Sequence, residues 1–138
     1  MKKVLILLVC ITFCYIAEAG LIVFPTPIRY YMVEEKTIGF SPDLDLINED
    51  KDVSDRGYFV DLYINDESVY FFDTSKEQIT YKYQKEDEKG GKIYSRTDFY
   101  YGNVKAYKQI IIYKDGTMVM MFQIDRGPVT INYYKRKK

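Results

Sequence analysis

The stretch that most constrains the fold is residues 106–135, near the carboxyl end of the chain. Two runs rich in β-branched, aromatic and methionine residues flank the segment KDGT at 114–117, and a third run follows DRGP at 125–128. This pattern is typical of a three-stranded antiparallel meander. The Asp-Gly dipeptide supplies the positive φ angles that a tight hairpin needs.

The register of the first hairpin has two solutions. A two-residue loop at Asp115 and Gly116 places Tyr113 opposite Met118. A three-residue loop with a bulge at Gly116 places Ile112 opposite Met118 instead. Both registers give a nearly continuous apolar face, so we expect this stretch to form core.

Short strand-like segments also precede this stretch. Alternating or aromatic-rich runs predict strands at 29–35, 58–64, 68–72, 78–84 and 92–100. With the meander they give about eight strands separated by turn signals, which is the all-β signature. The sequence therefore predicts one all-β domain, either a meander-type small barrel that is calycin-like by analogy or a sandwich. Alternation is similar in both architectures and does not choose between them.

The amino-terminal 19 residues have the three-part form of a secretory signal peptide. A basic start, Met1–Lys3, precedes an apolar segment, Val4–Ile16, and Ala17-Glu18-Ala19 ends the region. We expect cleavage after Ala19 and a secreted or periplasmic mature chain, residues 20–138, without a membrane span. The alternative is an uncleaved amino-terminal anchor.

Both cysteines, Cys10 and Cys14, lie in this predicted signal peptide. Bulky residues, Val9 and Phe13, precede them, whereas lipid attachment favours a small residue at that place. The mature chain would then contain no thiol, which excludes a disulfide scaffold, a thiol enzyme and a cysteine zinc site. The whole chain has no histidine, so the usual general base is also missing.

Charge balance excludes bulk nucleic-acid binding. The chain has 20 basic and 20 acidic residues, and loss of Lys2, Lys3 and Glu18 leaves 18 and 19, a net charge of −1. A nearly neutral domain has no electrostatic footprint for a phosphate backbone.

An acidic segment, residues 38–57, has few apolar residues. We interpret it as a long loop with a short helical turn around 44–48. Four oxygen-bearing residues follow the first, third, fifth and twelfth places of a calcium loop: Asp50, Asp52, Ser54 and Asp61. The sixth place holds Asp55 where such loops need glycine, so the segment predicts either a solvated acidic loop without a cofactor or an irregular calcium site.

Adjacent aromatic residues recur along the predicted strands and put rings on both strand faces. One face packs in the core, while the other needs a second layer, a ligand or a partner. Cross-strand aromatic pairing accounts for part of this pattern. The candidate ligand or partner surface comprises Tyr30, Tyr31, Tyr70, Phe72, Tyr100, Tyr101, Tyr133 and Tyr134.

Two further features carry weaker hypotheses. The basic tail, residues 135–138, is either a solvated end or a contact to an anionic surface. Asp61, Asp73 and Asp98 are conceivable members of a hydrolytic carboxylate pair, but no motif fixes their separation.

The sequence predicts a non-enzymatic binding module that holds an apolar small ligand or a protein partner through a tyrosine-rich face or cavity. The alternative is an exported interaction factor, such as an inhibitor, an immunity-type partner or a component of a surface assembly. A small carboxylate-based hydrolase is the third hypothesis. A deep cavity would support the binding module, and a flat tyrosine patch with a free strand edge would support the interaction factor. Two close carboxylates in a cleft would support the hydrolase.

Overall fold

The computed structural model describes residues 25–100 and 102–137. The predicted signal peptide and the candidate residue Tyr101 lie outside the described residues. Nine strands and one short 3-10 helix, Ser54–Arg56, follow one another in the described chain. The strands are β1 (Ile28–Phe40), β2 (Leu46–Asp52), β3 (Phe59–Ile64), β4 (Ser68–Phe72), β5 (Gln78–Glu86), β6 (Lys92–Tyr100), β7 (Val104–Ile112), β8 (Thr117–Ile124) and β9 (Val129–Arg136).

Eight of these strands close into an antiparallel barrel. Strands β3 to β9 form a continuous meander, and β9 returns to pair with β1 over the register from Tyr30 with Arg136 to Ile38 with Val129. The remaining strand, β2, pairs with β1 alone. The all-β prediction is therefore confirmed, and closure by the β1–β9 ladder selects the barrel over the sandwich. No helix in the described part of the chain is both long and apolar enough to cross a bilayer.

Strand β1 pairs with two different strands along one edge. Its first residues, Ile28 to Tyr31, pair with β3, and Glu34 to Phe40 pair with β2. The change of partner occurs at Val33, where the register with β9 also shifts. The Val33 carbonyl accepts a hydrogen bond from the backbone N–H of the buried Val53, with N and O 3.1 Å apart. A bulge of this kind bends the strand, and β1 exchanges β3 for β2 on this edge while it stays paired with β9 on the other.

The predicted long loop at 38–57 is wrong, as is the helical turn at 44–48. The segment contains the end of β1, a turn at 41–45, strand β2 and the 3-10 helix. Nearly all β2 side chains are exposed, so the strand has no apolar alternation from which it could be predicted. Charged side chains stand where apolar ones would be expected, and Lys36 Nζ lies 3.1 Å from Asp50 Oδ2 across the ladder. Charged side chains on an edge strand hinder its pairing with a further strand.

The hairpin between β7 and β8 adopts the three-residue loop. Ile112 pairs with Met118, and the N–H of Tyr113 donates to the Thr117 carbonyl at 3.0 Å. Gly116 has φ +87°, a conformation that a side chain would strain. The bulged alternative of the two predicted registers is therefore the one that forms.

The barrel has two different ends. The turns at 65–67, 87–91 and 113–116 define the packed end, and those at 41–45, 73–77 and 125–128 define the open end. The core lies toward the packed end, where inward side chains fill the interior. It consists of Tyr30, Leu62, Val69, Tyr81, Tyr94, Ile110, Met118 and Tyr134.

Candidate functional site

A chamber of about 640 Å³ occupies the barrel interior toward the open end. Binding sites for small molecules commonly have about 300–1,000 Å³ and combine apolar walls with a few polar groups. The polar groups here include Asp73, Arg96, Asp98, Lys108 and Asn132. The apolar wall is formed by Phe71, Ile79, Tyr81, Met120 and Phe122.

Strand alternation delivers the charged groups to this interior. On β6, Arg96 and Asp98 continue the face that holds the buried Tyr94, because every second side chain of a strand points the same way. On β7, Lys108 pairs directly with Arg96 and shares its face with the buried Ile110. Two neighbouring strands therefore turn from apolar to charged side chains at the same level of the barrel.

One carboxylate lies between the two cations. Asp98 Oδ1 accepts from Arg96 Nε at 2.5 Å, and Oδ2 accepts from Lys108 Nζ at 2.7 Å. Lys108 also donates to the Tyr100 hydroxyl at 3.1 Å. The Asp98 and Lys108 side chains are only 19% exposed. We call Arg96, Asp98 and Lys108 the charged ladder.

The pKa shifts of Asp98 and Lys108 both favour the charged form of the side chain. Burial raises the pKa of Asp98, but hydrogen bonds from Lys108 and Arg96 outweigh it and hold that pKa below its usual range. Burial likewise lowers the pKa of Lys108, but the bonds to Asp98 and Tyr100 raise it above its usual range. A general acid or base needs a pKa near the working pH, and both shifts move away from it.

Asn132 adds an unpaired polar atom to the chamber wall. Its Oδ1 is buried and has no hydrogen-bond partner among the described residues. An unsatisfied buried acceptor costs about 1–3 kcal/mol, which a core selected only for stability would avoid. In register, Asn132 lies between Met120 on β8 and Glu35 on β1, so the Glu35 side chain shares its face. The wall therefore contains polar groups beyond the charged ladder.

A seam between β3 and β4 gives the interior a second opening. Their ladder has only two pairs, Tyr63 with Tyr70 and Ile64 with Val69, so the strands separate toward the open end. A cleft of about 530 Å³ lies along this seam. It shares three lining residues with the chamber: Phe71, Asp73 and Met120.

Aromatic rings cluster on the outer side of the seam. Tyr63 and Tyr70 stack with centroids 4.8 Å apart, and Phe72 meets them edge-on at 5.7 and 5.9 Å. Phe59 approaches Tyr31 at 6.1 Å. We call Tyr31, Phe59, Tyr63, Tyr70 and Phe72 the outer aromatic patch. Phe59 and Phe72 remain 52% and 50% exposed, so the patch presents apolar surface to solvent.

The structure distributes the predicted tyrosine surface over several places. Tyr30 and Tyr134 are buried in the core, and Tyr100 lines the chamber. Tyr31, Tyr70 and Phe72 belong to the outer aromatic patch. Tyr133 faces outward and lines an exterior groove of about 630 Å³ with Tyr113 and Val119. Among the described residues, no ion pair joins two side chains that line this groove.

The four predicted calcium ligands are not brought together. Asp50 pairs with Lys36, and Asp52 Oδ1 accepts from the N–H and hydroxyl of Ser54 at 2.9 and 2.6 Å. Both oxygens of Asp61 accept from Arg29 at 2.7 Å, which lowers the pKa of Asp61. Within residues 25–100 and 102–137, no group of three or more acidic, histidine or cysteine side chains is placed to hold a metal ion.

The three carboxylates of the hydrolase hypothesis line two neighbouring sites that share Asp73. Asp73 lines the chamber with Asp98 and the seam cleft with Asp61, and the Asp61 side chain pairs with Arg29. Asp73 Oδ1 accepts from the N–H of Glu77 at 2.9 Å and so holds the β4–β5 turn. The chamber carboxylates are thus engaged by a turn and by the charged ladder.

The described part of the basic tail, residues 135–137, lies at the packed end, away from the chamber. Lys137 Nζ sits 4.4 Å from the centre of the Tyr31 ring. This cation–π contact attaches the tail to the edge of the outer aromatic patch.

Sequence reasoning did not select Arg96, Lys108 or Asn132. Each occupies an inward position of its strand, and on β7 the neighbouring inward residues of Lys108, Ala106 and Ile110, are apolar. A polar residue at an apolar position of a period-two pattern was the available signal. The irregular alternation of residues 92–100 is such a signal, but it indicates charged residues in the interior only once the strand partners are known.

Comparisons of the chain with protein-family models, with curated proteins and with solved structures gave no match. The class of protein that fold and site define is a small closed β-barrel with a partly polar interior chamber. Because fold alone does not determine function, the argument for function rests on the chamber and its chemistry.

Proposed function

We propose that this protein is an exported, non-enzymatic binding module that holds a small amphiphilic molecule in the barrel chamber. The observation that carries the proposal is the chamber itself: about 640 Å³ of interior volume with an apolar wall and a charged ladder. A domain of this size gains stability mainly by filling its core. An interior left open, with charges inside it, favours a role in binding.

Mixed chemistry in the chamber favours an amphiphile over a purely apolar ligand. Phe71, Met120 and Phe122 offer apolar and aromatic contact surface. Arg96 and Lys108 offer hydrogen-bond donors at the same level of the barrel. A molecule with one polar group and an apolar body would satisfy both parts of the wall.

Export rests on the sequence. The segment before Gly20 has the form of a signal peptide, and the chain after it contains no cysteine that an oxidising compartment would modify. The non-enzymatic assignment rests on the charged ladder, because the pKa shifts of Asp98 and Lys108 both move away from the range suited to proton transfer.

Native mass spectrometry of residues 20–138, purified from the natural host without denaturation, tests the proposal. We expect a bound mass of a few hundred daltons that is lost on unfolding. The variant Ile79→Trp places a bulky indole ring in the chamber and is expected to lose this mass while keeping a cooperative unfolding transition. Ile38→Trp, the same change at an exposed position of β1, is the matched control and should retain it.

A bare monomer mass from both the natural protein and the control would contradict the proposal. A bound mass that survives in Ile79→Trp would place the ligand elsewhere. In either case the binding function of the chamber would be abandoned.

A second candidate function is favoured by the outer aromatic patch. Half-exposed Phe59 and Phe72 beside stacked tyrosines are typical of surfaces that bind a protein partner. A stable complex with a second protein in the same spectra, lost in Phe72→Ser and kept in Ile79→Trp, would support an interaction factor instead.

A further inference from the structure

We infer that the chamber ligand carries an anionic group and that Arg96 and Lys108 bind it. The inference rests on the proposed function and adds the charge class of the ligand. It depends on which hydrogen-bond donors of the chamber are already used by the protein.

The charged ladder has more donors than acceptors. Both oxygens of Asp98 are occupied, one by Arg96 and one by Lys108. Within the described residues, Arg96 uses its Nε in this way, and its two terminal nitrogens have no side-chain or backbone acceptor. Lys108 donates to Asp98 and Tyr100, and an ammonium has a third N–H. Two cations with one carboxylate between them can therefore accept another anion.

The other carboxylates near the chamber do not supply this anion. Asp73 holds its own turn through the N–H of Glu77. Glu35 pairs in register with Asn132, whereas Lys108 is in register with Phe122 and, beyond it, Thr130. Glu35 is therefore not in register with the charged ladder. Neither forms a salt bridge with Arg96 or Lys108 among the described residues.

Lys108 also lies where an anion would be held in a weakly solvated environment. Its Nζ is 5.6 Å from the centre of the Tyr100 ring and 5.5 Å from that of Phe122. Aromatic rings exclude water on these sides, and charge-assisted hydrogen bonds strengthen as local water is removed. The apolar body of the ligand would then lie along Phe71, Ile79 and Met120, toward the β3–β4 seam.

Three eight-carbon probes that differ only in their polar group test the inference: octanoate, 1-octanol and octylammonium. Binding is followed by NMR of protein labelled with ¹³C-methyl methionine. The Met120 methyl lines the chamber, and the fully buried Met118 methyl reports on the intact core. We expect octanoate to shift the Met120 resonance and to bind at least tenfold more tightly than either other probe.

Variant Lys108→Leu is expected to remove the preference for octanoate, because one of the two cations is lost while Asp98 keeps its bond to Arg96. Lys105→Leu changes a lysine on the same strand whose side chain is exposed, and it should bind octanoate as the natural protein does. An unchanged Met118 resonance in Lys108→Leu shows that the core is preserved.

Equal binding of octanoate and 1-octanol, or tighter binding of octylammonium, would overturn the inference and leave the proposed function standing. Octanoate preference that survives Lys108→Leu would also overturn it. If none of the three probes shifts Met120, the anionic class is rejected, and the native mass spectra then decide the proposed function independently.

Discussion

Replacing Asp98 with alanine is expected to lower the free energy of unfolding by about 2 kcal/mol, less than the cost of removing one partner from a fully buried ion pair, because the charged ladder is partly buried. The substitution leaves Arg96 and Lys108 close together inside the barrel without the carboxylate that separates them. Urea unfolding followed by circular dichroism measures the change.

Asp61→Ala is the matched control. Asp61 also pairs with an arginine, with Arg29 Nε 2.7 Å from its Oδ1, but that arginine is 47% exposed on the barrel exterior. Exposed ion pairs contribute at most about 1 kcal/mol because water screens them. If the two variants lost equal stability, the partial burial of the charged ladder would not strengthen its ion pairs as this account requires.

The pH dependence of this effect has a defined sign. Because the pKa of Asp98 is lowered on folding from its ordinary value of 3.8, its contribution is complete above that value and is lost as the pH falls through the folded pKa. Because the pKa of Lys108 is raised from 10.5, its contribution is complete below that value and is lost as the pH rises further. The stability difference between the natural protein and Asp98→Asn should therefore shrink below about pH 4.

Replacing Gly39 with alanine is expected to lower the free energy of unfolding by about 3 kcal/mol, as a sum of steric overlap and backbone strain. A Cβ at this position would lie 2.7 Å from the Pro128 Cα, which is backbone of the neighbouring strand connection and cannot rotate away. Gly39 also has φ +145°, which side chains rarely adopt. The substitution should therefore push apart β1 and the beginning of β9, where the barrel closes.

Gly57→Ala separates the two causes. Gly57 has φ +68°, but nothing lies within 4 Å of its added Cβ, so only backbone strain of about 1 kcal/mol is expected. Both variants are compared by thermal and urea unfolding. A Gly39→Ala variant no less stable than Gly57→Ala would contradict the close contact between β1 and Pro128.

The sequence predicts the meander well because its strands are buried on one face. In the β7–β8 hairpin, Ile110 and Met120 alternate with outward residues, so period two and the Asp-Gly turn were sufficient. Barrel closure was not predictable, since the β1–β9 pairing joins segments at opposite ends of the domain and no local pattern encodes it.

Strand β2 shows the opposite case. Its backbone pairs with β1, but exposed residues such as Glu49 and Asp50 gave the composition of a loop. The pairing is supported by charge complementarity between Lys36 and Asp50, a relation that exists only once the strands are aligned.

The candidate site required the structure for a related reason. Arg96, Lys108 and Asn132 come from three strands and share one interior because the barrel closes. Apart from Tyr101, which lies outside the described residues, the aromatic residues of the predicted surface lie in strands, but inward or outward orientation separates Tyr30 from Tyr31 and Tyr134 from Tyr133. Aromatic content alone could not assign them to core, chamber or exterior.

The most direct test of the central claim compares two preparations of the same chain labelled with ¹³C-methyl methionine. One is purified from the host without denaturation, and the other is unfolded, dialysed and refolded. If the chamber holds a small molecule, the Met120 methyl resonance will differ between the preparations while that of Met118 stays the same. Identical Met120 resonances, together with no bound mass in either preparation, would contradict the account.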